Sequence, residues 1–259
     1  MTGLSPWRPL MAELDLWRRL ELSAQFWLRD DDAIAPSAAL ERLARLSGRF
    51  DAPVLLAVIP MLAEPELAAF QRSAPSLLPC QHGVWHRSHS PAGQKNAEFG
   101  AGRDIGTARA EIAEGKARLD ALFGPAALPV FVPPWNRIGP GIAARLPELG
   151  FTGLSCFRGF ALGPDGGPAL ANSHLDLIDW HGGRVGRGAG ALAAELAGHL
   201  TRHSEAAGPS VAVFGLLLHH RDHDDTAWAC LEALLGQVAD HPAARLIDPR
   251  RLFSGEKAA

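Results

Sequence analysis

The sequence has no tyrosine, and its composition offers no physical reason for that. Cysteine is scarce. Cys80, Cys156 and Cys230 are odd in number, far apart and never in CxxC spacing, which excludes a disulfide framework and fits small apolar residues in a reducing compartment. No apolar run reaches the roughly 18 residues of a membrane-spanning helix. Arg8, Glu13, Asp15, Arg18, Arg19 and Glu21 interrupt the N-terminal stretch where a signal peptide would need an apolar core, so a soluble, cytoplasmic protein is expected. Basic clusters are missing too. With 25 Lys and Arg against 28 Asp and Glu, the net charge of −3 carries no polyanion-binding signature and excludes nucleic acid as the expected partner.

What is present is a long, regular alternation of apolar segments. At 259 residues with 47% hydrophobic content, the chain can bury a sizeable core and is of ordinary length for one α/β barrel. Helical periodicity appears over residues 9–20, 36–50, 64–73, 107–123, 142–149, 191–203 and 224–239. Between these lie strand-like runs at 26–28, 54–59, 76–80, 129–132, 151–156, 174–180, 211–218 and 245–247. The segment 88–104 is rich in Gly, Ser, Ala and charge and reads as a long loop of the lid or substrate-wall kind, and 159–171 is a second loop. Alternation of this sort implies a parallel sheet, and with no separating linker or internal repeat the whole of 1–259 reads as a single domain. The pattern alone leaves an open doubly wound sheet as the alternative, although no Gly-rich phosphate loop follows the first strand.

The polar residues fall at the C-terminal ends of these strands, the rim on which α/β folds build sites. His82 and His86 are four residues apart, which puts two imidazoles on one side of a helical turn and within reach of one cation. The third ligand is expected from Asp30-Asp31-Asp32, about fifty residues earlier. Two His and one Asp leave a position open for water, a carboxylate beside it can accept a proton, and an imidazole opposite can protonate a departing amine. The residues alone leave open which of Asp30, Asp31 and Asp32 is the ligand and which the base.

In chain order the motifs are Arg29-Asp30-Asp31-Asp32-Ala33, His82-Gly83-Val84-Trp85-His86, Val132-Pro133-Pro134-Trp135-Asn136, Asp176-Leu177-Ile178-Asp179-Trp180 and Leu217-Leu218-His219-His220. This order and spacing resembles the polysaccharide deacetylase family (NodB-homology, carbohydrate esterase family 4-like) of metal-dependent amide hydrolases, from about residue 25 to 221. The resemblance implies a distorted (β/α) barrel of about seven parallel strands. It also implies one divalent cation, most often Zn²⁺, with Co²⁺, Ni²⁺, Mn²⁺ or Fe²⁺ as substitutes. Asp31 would be the general base, and Asp32 the metal ligand together with His82 and His86. Trp135 would supply a backbone N–H to the oxyanion, and Leu217 an apolar wall near the acyl methyl. Asp179 and Trp180 match the family's Asp-Trp pair, whose aspartate orients the catalytic histidine, here His219 as general acid. Val132 stands where the family often has an arginine that steadies the base, leaving Arg29 or Arg137 to take that part. Asp30 replaces an apolar residue, so three carboxylates meet at one strand end and one of them stays protonated or pairs with Arg29.

Each motif also has a plainer explanation. Asp30–Asp32 could be a solvated cap before the helix that follows, His89, His220 and His223 ordinary loop residues, and Trp27, Trp135 and Trp180 packing. The set in order favours a hydrolase that removes an acetyl group from the nitrogen of an amino sugar, oligosaccharide or small amide. The expected partner is thus a small molecule or carbohydrate, with no membrane span, and no feature assigns an oligomeric state. The alternatives are a catalytically silent carbohydrate-binding barrel and, from the same two-His-one-carboxylate set, ferrous oxygenase chemistry.

Overall fold

The structure, a computed structural model, describes residues 5–206 and 210–253. Its strands are β1 (Ser23–Ala33), β2 (Val54–Val58), β3 (Leu77–His82), β4 (Val130–Val132), β5 (Gly153–Leu154), β6 (Ala169–Leu170), β7 (Ser173–Asp176), β8 (Ile178–Asp179), β9 (Val185–Gly186), β10 (Val211–Leu218) and β11 (Ala244–Leu246). Nine of them form one sheet in the order β6-β5-β4-β3-β2-β1-β10-β7, with β11 paired to the start of β1. Every pairing in this sheet is parallel. The sheet curls until Ser173 in β7 meets Phe157, just past β5, in a further parallel bridge. The result is an α/β half-barrel, broader than the seven strands expected. β8 and β9 form a separate antiparallel hairpin on its rim.

Strand alternation divides the apolar residues between two faces. Phe26, Leu28, Val54, Leu56 and Val58 belong to the large core shared with the helices, while Trp27, Leu55, Ala57, Cys80, Val130 and Val132 fill the concave face. Burial on both faces is why β2 and β10 read as continuous apolar runs. Gly215 in β10 is needed for closure: a Cβ there would lie 2.8 Å from both the Trp27 ring and the Ser173 backbone. The three cysteines are buried and unpaired, as small apolar residues.

The helices are α1 (Arg8–Arg19), α2 (Ala38–Arg49), α3 (Pro65–Ser73), α4 (Ile105–Phe123), α5 (Pro140–Ala143), α6 (Ala189–Glu205), α7 (Asp225–Ala239) and α8 (Arg250–Phe253). Side-chain caps set three of the starts: Ser37 accepts from Leu40 N–H (3.1 Å), Asp104 from Thr107 N–H (2.8 Å) and Asp224 from Ala227 N–H (2.8 Å). No helix is long and apolar enough to cross a membrane among the described residues.

Three expectations change. The helix expected over 142–149 is two short pieces, α5 and a 3₁₀ turn at Leu146–Leu149. The strand expected over 174–180 breaks after Asp176, where the Asp176 carboxylate accepts the Ile178 N–H (2.9 Å) and the chain leaves the sheet for the hairpin. The first strand does not stop at Leu28 but runs through all three aspartates to Ala33.

Candidate active site and metal centre

Because the aspartates are in β1, alternation sorts them. Arg29 and Asp31 share the concave face with Trp27, and Asp30 points the other way. Asp30 is fully buried and accepts hydrogen bonds from the His220 backbone N–H (2.8 Å) and from His220 Nδ1. His220 is therefore a buried partner (2% exposed) rather than an ordinary loop residue. Asp31 receives the fork of Arg29, Nε to Oδ1 at 2.9 Å and Nη2 to Oδ2 at 3.0 Å. Arg29 spends its other donors on Ser155 O, Ser155 Oγ, Cys156 O and Asn136 Oδ1, so every N–H of a fully buried guanidinium is used. Of the two arginines considered as partners for an aspartate here, Arg29 is the one that reaches Asp31. Arg137 instead donates to the Asn96 carbonyl (2.9 Å).

Strict alternation would send Asp32 to the Asp30 side. A register shift between Asp30 and Ala33, together with a positive φ of 71° at Asp32, turns it back. Its Oδ1 then lies 3.2 Å from His82 Nε2 and 3.2 Å from His86 Nε2.

The two histidines are not on a helical turn, contrary to expectation. His82 is the last residue of β3, and two left-handed residues, Gly83 (φ 55°) and His86 (φ 54°), bend the chain back on itself. Glu98, 1% exposed in the long loop, holds that bend by accepting the N–H groups of Val84 (3.1 Å) and Trp85 (2.8 Å). Only glycine fits at 83, since a Cβ would sit 2.1 Å from Glu98 Oε2 and 2.4 Å from the Pro134 ring. The Val132 carbonyl contacts His82 Nδ1 at 3.0 Å, which fixes that nitrogen as the protonated one and leaves Nε2 free to ligate. His86 packs on Trp135 with ring centroids 4.4 Å apart, and Trp135 and Asn136 are themselves left-handed.

On the opposite side His219 follows β10. Its partner is Asp176, not Asp179. Asp176 Oδ1 lies 3.8 Å from His219 Nδ1, and its Oδ2 accepts from Trp180 Nε1 at 2.7 Å. The Trp180 ring meets His219 edge-on, 4.6 Å between centroids. Asp179 is exposed and caps the following turn, accepting from the N–H groups of His181 (3.1 Å) and Gly182 (2.7 Å). The expectation for Asp179 is therefore corrected: the strand break after Asp176 brings that residue, three earlier, to the histidine. His223 is also no free loop residue, as its Nε2 faces the His219 N–H at 3.4 Å and burial pushes its pKa down to about 4.

Asp31, Asp32, His82, His86, Trp135, Trp180, Leu217 and His219 line one cleft of about 840 Å³. Sequence reasoning gave no role to Asp176 and Asn136, which lie in its motifs, and missed Lys95, Phe157, Arg158, Phe160, His181 and Arg184, which line the cleft from the loops.

The electrostatics of the triad suit a cation. Burial works to raise the Asp32 pKa, but His82 and His86 outweigh it and hold the carboxyl well below the usual carboxylate range. Burial alone would lower His82, yet Asp31 and Asp32 leave it raised; for His86, burial and then His82 push the pKa down. Asp32 Oδ1 is buried with no hydrogen-bond partner, and the three ligand atoms lie within 4.8 Å of one another. An orphaned carboxylate oxygen facing two imidazole nitrogens is the donor set that a borderline divalent ion such as zinc prefers.

The Arg29–Asp31 pair gives a stability test. Arg29→Ala strands a buried carboxylate, and breaking such a pair costs about 3–5 kcal/mol. Denaturant unfolding should show a loss of that size, with Arg29→Lys between it and the wild type because the charge returns but the fork does not. A change below about 1 kcal/mol would mean Asp31 finds solvent and the pairing is incidental.

No family model and no curated protein matches this sequence. Solved structures do. A protein of Mycobacterium smegmatis assigned to the polysaccharide deacetylases superposes with a TM-score of 0.62 at 17% identity, covering 90% of each chain. A peptidoglycan N-acetylglucosamine deacetylase bound to an N-hydroxybenzamide gives 0.54 at 13% identity, covering 94% of this chain and 99% of the other. A family 4 acetyl xylan esterase from Clostridium thermocellum, in complex with a cobalt ion, gives 0.52 at 14%, covering 89% and 90%. The chain thus has the fold of the polysaccharide deacetylases and family 4 esterases, over about nine-tenths of its length.

Proposed function

We propose that the protein is a metal-dependent hydrolase that removes an acyl group, acetyl foremost, from the nitrogen of an amino sugar or a related small amide. The observation that carries this reading is the orphaned Asp32 oxygen between two imidazole nitrogens, in the same cleft as a second carboxylate and a third imidazole. A divalent ion on Asp32, His82 and His86, zinc in the first instance, supplies Lewis-acid polarisation of the acyl carbonyl and eases ionisation of water.

The chain's own residues do the rest. Asp31, held rigid by Arg29, takes the proton of the attacking water. His219 gives a proton to the departing nitrogen, and Asp176 behind it stabilises the imidazolium and its orientation. Trp135, packed on His86, contributes its backbone N–H to the oxyanion, while Leu217 forms the apolar wall for the acyl methyl. Trp180, fixed by its bond to Asp176, stands nearly perpendicular to the His219 ring and offers a surface for a sugar. The shared fold supports this reading through relatives whose own substrates are an acetylated sugar and an acetylated xylan.

Acetate release from a panel of N-acetylated sugars tests the proposal. Turnover should appear with a divalent ion present, disappear on chelation and return on adding the ion back. Absence of release from every sugar, with the ion bound, would overturn the hydrolase reading in favour of a silent carbohydrate-binding barrel.

A further inference from the structure

The cleft's acids are all committed. Asp31 is paired with Arg29, Asp32 faces the two metal-site histidines, and Asp176 serves Trp180 and His219. Every other charged residue on the cleft wall apart from the histidines is a cation: Lys95, Arg137, Arg158 and Arg184. In a chain of net charge −3 this is a local inversion of sign. Arg158 and Arg184 are balanced from outside the cleft by Glu195 (2.8 Å) and Asp222 (2.9 Å). Lys95 and Arg137 are not balanced: neither has an ion-pair partner among the described residues.

The two unbalanced cations are neighbours on one wall. Arg137 is anchored by a single bond from Nη1 to the carbonyl of Asn96, the residue after Lys95. The rest of its guanidinium fork has no hydrogen-bond partner among the described residues. Arg137 also follows Trp135 by two residues, so this wall begins at the metal site and runs outward along the long loop. A fork held at one nitrogen and open at the others, in a cleft that Lys95 also lines, is arranged to take an oxyanion. A one-signed cleft also concentrates ligands of the opposite sign.

We propose that the substrate is an anionic acylated amino sugar, one carrying a phosphate or carboxylate that Lys95 and Arg137 bind while its amide lies at Asp32, His82 and His86. This rests on the hydrolase reading for the amide, but not for the anion site. The neutral acetylated sugar then lacks half of its recognition, although the reaction at its amide is the same.

The test compares N-acetylglucosamine with N-acetylglucosamine 1-phosphate, uridine diphosphate N-acetylglucosamine and N-acetylmuramic acid, by acetate release and by calorimetry. At least one anionic sugar should exceed the neutral one by about tenfold or more in kcat/KM and in affinity, the worth of one charge-assisted hydrogen bond. Which one wins separates a phosphate from a carboxylate. The ratio should collapse toward one in Lys95→Gln/Arg137→Gln, and shrink in the wild type as salt rises from about 0.05 M to about 0.5 M. A preference that survives unchanged in the double variant would overturn the proposal, because the anion would then be bound elsewhere in the cleft, at the metal site or at Arg158 and Arg184. Equal binding of neutral and anionic sugars by the wild type would overturn it too. Should no sugar release acetate, the hydrolase reading falls, and calorimetry still decides the anion site.

Discussion

His82→Ala and His86→Ala should each abolish stoichiometric divalent metal and lower deacetylation by at least about a thousandfold, the several kcal/mol that Lewis-acid stabilisation contributes. His86 is the cleaner variant, being only partly buried, whereas loss of the buried His82 also frees the Val132 carbonyl from its contact. In the wild type, a divalent ion at about a thousand times its Kd should stabilise the fold by roughly 4 kcal/mol, and in either variant by almost nothing. The pH dependence has a definite sign. His82 has a raised pKa because Asp31 and Asp32 outweigh its burial, so a proton competes with the ion for its nitrogen. Metal affinity should therefore strengthen as pH rises through that pKa and weaken below it, with a proton released on binding. Unchanged metal content in both variants, by elemental analysis, would remove the site.

Much of this arrangement is legible in the sequence for a simple reason. Parallel strands buried on both faces appear as unbroken apolar runs, and polar residues can enter such runs only at their ends. His82 at the end of β3 and His219 just past β10 are visible on that ground. Alternation also gives more than it is first asked for. Arg29 and Asp31 are two apart in a strand, so they must face the same way, and Asp30 must face away. That resolves the crowding of three carboxylates, two of which pair separately with Arg29 and His220.

Other features lie beyond the pattern because they depend on breaks in it. Asp32 reaches the histidines only through a bulge and a positive φ, which Asp tolerates but does not announce. The four-residue spacing of His82 and His86 suits a helix equally well, and the choice of a bend is made by Glu98, twelve residues past His86, and by Pro134 against Gly83. Asp176 and Asp179 are both plausible partners for His219 until the strand is seen to end at the first of them.

Asp31→Asn and His219→Ala should separate proton transfer from metal binding. Neither residue belongs to the triad around Asp32 Oδ1, so both variants should retain the divalent ion. Each should nevertheless lose about 10²–10⁴-fold in kcat/KM, the usual worth of a positioned base or acid. Asp31→Asn keeps the shape that receives Arg29 but loses the basic oxygen, and the fold should survive with only the pairing weakened. His219→Ala removes a side chain whose buried Nδ1 makes no hydrogen bond, so its structural cost is small beside its catalytic one. Asp176→Asn is the intermediate case. It acts through His219 rather than on the substrate, and should lower kcat more than it raises KM, while a substrate with a more acidic leaving amine, which needs less proton donation, should recover much of the loss. Acetate release with metal content measured on the same samples decides the matter. If His219→Ala turns over at the wild-type rate with its metal bound, the acid lies elsewhere. His220 could not replace it, because its Nδ1 is committed to Asp30 and only 2% of the residue is exposed. His181, the remaining imidazole on the cleft wall outside the metal site, would then be the next candidate, ahead of solvent.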